Sequence, residues 1–358
     1  MYPNRSMPER RAAGVLLLAA LAMMFTAMSC IDDPPTHPEI NEYRSFLDLV
    51  WELYDQKYVG FDSKNVDWEG IHQQYSDMAA GADSTDELME VVVAMVGELE
   101  DRNAFLAMDG SVVPTFSGET RVNFDYSVLM EYLEPWNFQW DSSFGVTWGS
   151  CVIDSIPYFA IKHFNYFFTY MHFRDEFITH LESPGMILDL RMSDDFSLVP
   201  AEQLPGLFTD QSMVAFLTQY RTGPSHDDIS QLESHNISPI SWAFLKPVVI
   251  LAGQQNFGPS EAFLSVMERM PHVTIIGDTT GGGANTPGYM NQQYWPVWDF
   301  WDITCPFARF LTADTVCIEG VGIIPDIHVQ ATEEAFAAGE DPVLEYAIQW
   351  IGEATSPQ

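Results

Sequence analysis

The chain has 358 residues, 47% hydrophobic and 18% charged, a composition that supports a sizeable folded core and excludes a disordered chain. Asp and Glu outnumber Lys and Arg by 51 to 15, for a formal charge of −36. This excludes nucleic acid as a partner, since that binding rests on cationic side chains neutralising phosphates; the ordinary use of such charge is a solubilising surface.

Arg5, Arg10 and Arg11 form a basic start, followed by an uncharged apolar run over 12–29 that ends in small residues. That order describes a secretory signal peptide, although the run is also long enough for an uncleaved anchor. Ala27-Met28-Ser29-Cys30 resembles a bacterial lipobox, in which the cysteine is acylated and becomes the new N-terminus. The expectation is a signal peptide over 1–29, lipid attachment at Cys30 and a proline-rich tether over 30–41. The protein is then exported to a bacterial cell envelope and meets the membrane only through its anchor or signal segment. Asp32 and Asp33 read as linker charge, with surface export as the alternative.

Residues 42–58 carry apolar side chains at helical spacing: Phe46, Leu49, Val50, Leu53 and Tyr54. Val66-Asp67-Trp68 opens a second helix. Ser84 begins a third, with Glu87 placed for a capping box. Residues 42–108 are therefore expected as an N-terminal helical domain. The stretch 109–145 shows no clear period and reads as an irregular covering segment. From 146 to 350 the pattern changes. SCVIDSIPYFAIKHF holds two short alternating runs, and GMILDLR (185–191), KPVVILAG (246–253) and HVTIIGD (272–278) are short apolar strands. Ser260–Met270 is a helix between two of them. Strands apolar on both faces, alternating with helices, predict an α/β core with a mainly parallel sheet covered by helices. Its crevice should lie beyond the strand C-termini, near 191–195, 254–258 and 278–283.

Six motifs in order carry a resemblance: Leu99-Glu100-Asp101-Arg102-Asn103, Leu188-Asp189-Leu190-Arg191, Phe257-Gly258-Pro259-Ser260-Glu261, Gly277-Asp278-Thr279-Thr280-Gly281-Gly282, Gly320-Val321-Gly322-Ile323-Ile324-Pro325-Asp326, and the opening Val66-Asp67-Trp68. Together they resemble the tail-specific, or C-terminal processing, serine proteases. The nearest branch lacks an obvious PDZ module and is similar to the tricorn core and the interphotoreceptor retinoid-binding repeats. The resemblance implies a crotonase-like or ClpP-like protease core and a partner that is a peptide or protein C-terminal tail; an apolar ligand is the alternative.

The departures fall where that family does its chemistry. Counting back from Glu261 puts the nucleophile position at Gly258, which has no side chain. The histidine of the tricorn-like branch falls at Asn103, which cannot act as a base near neutral pH. The lysine of the processing proteases falls at Gly283. The segment that helps form the oxyanion hole ends here in Asp195 and Phe196, and carboxylates there would oppose a developing negative charge. Ser260 is the remaining hydroxyl, although helix N-cap is its ordinary role. Arg191, Gln254, Glu261 and Thr280 are the candidates to line a ligand cleft.

No H-E-x-x-H or C-x-x-C spacing occurs, so neither metal nor cofactor is expected. Cys305 and Cys317 either close a hairpin disulfide or remain buried thiols. The Gly281–Gly283 run reads as a tight turn, and the aromatic run over 294–302 reads equally as cleft lining or as packing. The leading expectation is an inactive homologue that binds an extended peptide or an apolar ligand. A serine endopeptidase using Ser260 and a structural cell-surface subunit are the alternatives.

Overall fold

The computed structural model describes residues 40–108, 111–116, 121–142, 147–164, 170–195, 197–286, 294–298 and 301–356. The expected signal run 1–29, the lipid-attachment Cys30, most of the tether and Phe196 lie outside the described residues.

Helices α1 (Ile40–Lys57), α2 (Phe61–Lys64), α3 (Trp68–Ala80) and α4 (Thr85–Gly97) open the chain. The buried seam of α1 is Tyr43, Phe46, Leu47, Val50 and Tyr54, spaced to fall on one stripe. Leu49 belongs to the expected apolar face but is 50% exposed, one position off that stripe. Asp67 caps α3 by accepting the Gly70 N–H at 3.0 Å, and Ser84 caps α4 by accepting the Glu87 N–H at 3.2 Å. The reciprocal half of the expected capping box shifts by one residue, because the Glu87 carboxylate accepts the Asp83 N–H at 2.8 Å.

Strands β1 (Phe105–Met108) and β2 (Ser111–Pro114) follow, then α5 (Tyr126–Leu133) and β3 (Gln139–Trp140). The irregular reading of 109–145 therefore misses a helix. Asp125 caps α5 by accepting the N–H groups of Ser127 and Val128, and only Leu129 and Leu133 are fully buried. Strands β4 (Trp148–Ile153) and β5 (Ile156–Ile161) form a hairpin. Its turn residues, Asp154 and Ser155, both have positive φ, at 46° and 74°, as a primed two-residue turn requires.

The core continues through β6 (His163–Phe164), α6 (Tyr170–Ile178), β7 (Met186–Asp189), β8 (Asp194–Asp195), α7 (Val199–Gln203), β9 (Met213–Tyr220), β10 (Glu233–Ile237) and β11 (Val248–Ala252). Next come α8 (Pro259–Met267), β12 (Val273–Gly277), β13 (Asn285–Thr286), β14 (Tyr294–Trp298), β15 (Trp301–Thr304), β16 (Ala308–Thr312), β17 (Ile327–His328), α9 (Glu333–Ala337) and α10 (Pro342–Ala354). The main sheet has the order β17-β12-β11-β7-β5-β4-β3. Its first five strands run parallel, and β4 and β3 run antiparallel. This is the mainly parallel α/β core that the strand pattern predicts.

The physical reason for the unbroken apolar strands is visible in β11. Val248, Ile250 and Ala252 pack on one face with α6, α7 and α8, while Val249 and Leu251 pack on the other with α5 and α10. Cys305 is buried in the helical core and Cys317 packs against the α/β core, and both are free thiols. Of the aromatic run over 294–302, Trp301 is buried among the N-terminal helices; residues 299 and 300 lie outside the described residues.

Candidate functional site

Strand β11 ends at Ala252 and the chain turns sharply into α8. Asn256 holds the turn. Its Oδ1 accepts the Gly253 N–H at 2.9 Å, its Nδ2 donates to the Leu190 carbonyl at 2.5 Å, and its own carbonyl accepts the Gly281 N–H at 2.6 Å. At the top of the turn stands Gly258, the N-cap of α8, with φ 70° and ψ −122°. This is a strand–turn–helix elbow of the kind that lifts a nucleophile out of a sheet. Among the described residues, a Cβ built on Gly258 would meet only the Gly283 carbonyl oxygen, at 3.6 Å. Packing therefore does not require the glycine, although its positive φ favours one.

Neither residue at the top of the elbow has an N–H free for an oxyanion. The Gly258 N–H is donated to Glu261 Oε2 at 2.9 Å, and Pro259 has no N–H at all. Glu261 accepts three further bonds: from the Gly282 and Gly283 N–H groups, both at 2.7 Å, and from the Thr280 hydroxyl. Thr280 Oγ1 in turn accepts the Ile323 N–H at 2.7 Å. Burial holds the Glu261 carboxyl above the ordinary carboxylate range, and these bonds offset only part of that rise. The nucleophile turn, the glycine loop and the Gly-x-Gly-Ile segment are thus one knot tied on a buried carboxylate.

Several sequence expectations change here. Glu261 is fully buried and Thr280 is 5% exposed, so neither lines a cleft. Arg191 is also fully buried. Its guanidinium pairs with Asp189 at 2.7 Å and Asp341 at 2.8 Å, and it donates to the Asn123 carbonyl at 3.1 Å, which fastens the start of α10 under the sheet. Gln254 is half-buried at the crevice, where its carbonyl accepts from Arg102 and its Oε1 accepts the Arg121 N–H. Ser260 is not the N-cap, because Gly258 takes that place. It lies in the first turn of α8 at 0% exposure, with its hydroxyl buried.

Asn103 donates its backbone N–H to Asp101 Oδ1 at 2.8 Å and its amide to the Asn285 carbonyl at 2.6 Å. A side chain at Gly283 would be tight: a Cβ there would lie 3.0 Å from Phe257 Cβ and 3.2 Å from the Gly258 nitrogen, so those neighbours would have to give by a few tenths of an ångström. Asp194 and Asp195 form β8, pairing parallel with His163 and Phe164, and Phe196 lies outside the described residues.

Sequence reasoning missed a second buried carboxylate, Glu319. It accepts the Asn285 N–H at 2.8 Å and pairs with Lys64 at 2.9 Å. Burial first, and the charge of Asp101 second, push it up to about 8. Asp101 itself accepts from the Tyr58 hydroxyl at 2.8 Å and the Asn285 amide at 3.0 Å. The available signal was a lone carboxylate inside the apolar stretch 317–324, next to the Gly-x-Gly turn. Among the described residues, no three His, Cys, Asp or Glu side chains stand together as a metal site. Two cavities, of about 610 and 450 Å³, are lined by Trp140, Trp148 and His172 and by Phe208, Arg269 and His272 respectively, and Gly258 lines neither.

The sequence pattern of peptidase family S41 matches residues 155–329, and that of the tricorn protease C1 domain matches residues 40–97. The chain belongs to the tail-specific protease family, peptidase family S41. A protein from Parabacteroides merdae assigned to the peptidases superposes with a TM-score of 0.75 at 23% identity, covering 86% of this chain and 96% of that one. Mature CPAF complexed with lactacystin gives 0.64 at 10% identity, with coverage of 87% and 98%. The tricorn protease gives 0.58 at 14% identity, covering 88% of this chain but 37% of that much longer one. At these identities the structures establish the shared S41 fold.

Proposed function

We propose that this S41 chain is a lipid-anchored, exported homologue without peptidase activity, and that its crevice binds an extended peptide. The carrying observation is the elbow itself: Gly258 at the nucleophile position, its N–H bonded to Glu261, and Pro259 next in line. A covalent route needs a nucleophile, a base and oxyanion donors. The first is absent at Gly258, the base positions hold Asn103 and Gly283, and the turn offers no free N–H from 258 or 259. The complete burial of Ser260 counts against the serine peptidase alternative.

In this reading the signal peptide spans 1–29, Cys30 carries the lipid and the tether holds the domain off a bacterial membrane. A solved lipoprotein from Streptococcus agalactiae shares the fold, with a TM-score of 0.53 at 13% identity over 90% of this chain and all of that one. No helix among the described residues is long and apolar enough to cross a membrane. Peptide binding is the function left to a polypeptide-cleaving fold that loses its chemistry, with main-chain hydrogen bonding as the means.

The test is incubation of the full chain with a fluorogenic peptide library and with a serine-directed fluorophosphonate. Neither turnover nor labelling is expected. Turnover that disappears in Ser260→Ala would show an active enzyme and sink the proposal. Metabolic labelling with a radioactive fatty acid, expected in the wild type and absent from Cys30→Ala, tests the anchor.

A further inference from the structure

Cations are scarce in this chain, so where one stands without a counter-ion is informative. Arg102 lies between Asp101 and Asn103, in the loop that leads from α4 into β1. Its side chain reaches across to the crevice. Nη1 donates to the Gln254 carbonyl at 3.3 Å, and a Cβ on Gly281 would lie 3.0 Å from the same nitrogen. The guanidinium is therefore held against both segments that flank Gly258, the 254–258 turn and the glycine loop. Among the described residues it makes that single long hydrogen bond and no ion pair. The adjacent carboxylate of Asp101 is turned away, bonded to Tyr58, Asn103 and Asn285. A half-buried guanidinium with four of its five donors unmatched among the described residues favours an anion, and its planar fork fits a carboxylate.

Arg121 stands at the rim of the same place. Its backbone N–H donates to Gln254 Oε1 at 2.8 Å. Its side chain is 68% exposed, with Nη2 loosely placed 3.5 Å from Asp278. Gln254 thus joins the two arginines, one through its carbonyl and one through its side chain. The rest of the molecule repels anions, since the formal charge is −36. A local positive site inside such a field selects where an acidic group docks and leaves the remainder of the surface unattractive to it.

We infer that Arg102, with Arg121 at the rim, forms a carboxylate-receiving subsite beside the Gly258 elbow, and that it takes the carboxylate of an extended peptide. This rests on the peptide-binding reading above and specifies the end or side chain by which the peptide is held. The carboxylate comes either from a peptide C-terminus or from an acidic side chain; both present the same pair of acceptor oxygens to the fork.

The experiment measures fluorescence anisotropy of the full chain with three fluorescein-labelled nonapeptide pools of randomised neutral sequence. One pool has a free C-terminus, one is amidated, and one is amidated with a single internal glutamate. The wild type is expected to bind the free-carboxylate pool, the glutamate pool or both about tenfold or more tighter than the neutral amidated pool. Arg102→Gln should abolish that preference, while Arg121→Gln should reduce it and weaken its salt dependence. Tighter binding of the free-carboxylate pool alone identifies a terminal carboxylate, tighter binding of the glutamate pool alone identifies a side chain, and tightening of both identifies a subsite that takes either. Equal binding of all three pools by the wild type overturns the subsite while leaving the peptide-binding reading standing, and it does so without any variant having to fold. A preference that survives in a folded Arg102→Gln also overturns it. Failure of every pool to bind removes both readings.

Discussion

Gly258 combines open space beyond its Cα with a φ of 70°, so a serine fits there sterically but is held in strained backbone. Gly258→Ser is expected to lower stability by about 1–3 kcal/mol, read from urea midpoints, and to produce no peptide turnover. A serine alone does not supply the rest of the chemistry: Asn103 still accepts no proton, and neither residue 258 nor Pro259 has a free N–H. Turnover appearing in this single variant would mean that the base and oxyanion elements survive elsewhere in the crevice. At this scale the sequence was legible where a motif fixes a count, as from Glu261 back to Gly258. It misled where type alone suggested a role. Serine is a good N-cap, but Pro259 takes the first helical position and moves the cap back to Gly258. Arg191 and Thr280 follow strand ends, where ligands usually bind, and Glu261 lies in the first turn of α8, yet each is buried in bonds to its own protein.

The elements around the site are joined by buried carboxylates. Glu261 ties α8 to the loop after β12, and Glu319 ties the segment before β17 to α2 and β13. Glu319 gives this second junction a pH dependence. Its carboxyl rises from the ordinary 4.5 to about 8 on folding, so between those values the folded state holds more protons than the unfolded one. Its contribution to stability is complete below about 4.5 and is lost as pH rises toward 8. The denaturant midpoint is therefore expected to fall between pH 5 and pH 8, and Glu319→Gln should flatten that decline. A wild-type midpoint that rises steadily over the interval would contradict this. Helices and strands with full periods were readable from the sequence, as with α1, α4 and β11. Helix α5 was not, because only Leu129 and Leu133 are fully buried along its length, too few to set a period against the surrounding aromatics.

Across the whole molecule, the excess of carboxylates acts as a distributed repulsion. Raising salt from about 10 mM to about 1 M shrinks the screening length from about 30 Å to about 3 Å. The melting temperature is expected to rise by several degrees over that range, and a fall would show that attractive ion pairs outweigh the net charge. The N-terminal helices also depend on distant chain. Their core includes Trp301, Ile303 and Cys305 from the far end of the sequence, brought in because β15 pairs with β1. The sequence by itself determined the family, the α/β core and the glycine at position 258, because motif order, strand hydrophobicity and residue identity are local properties. Only the tertiary structure decided which polar residues face inward, that three motifs meet at one buried carboxylate, and that Arg102 reaches the crevice without an ion pair among the described residues. Those facts depend on which segments meet, and contacts between residues from 19 to 152 positions apart leave no periodic trace in a single chain.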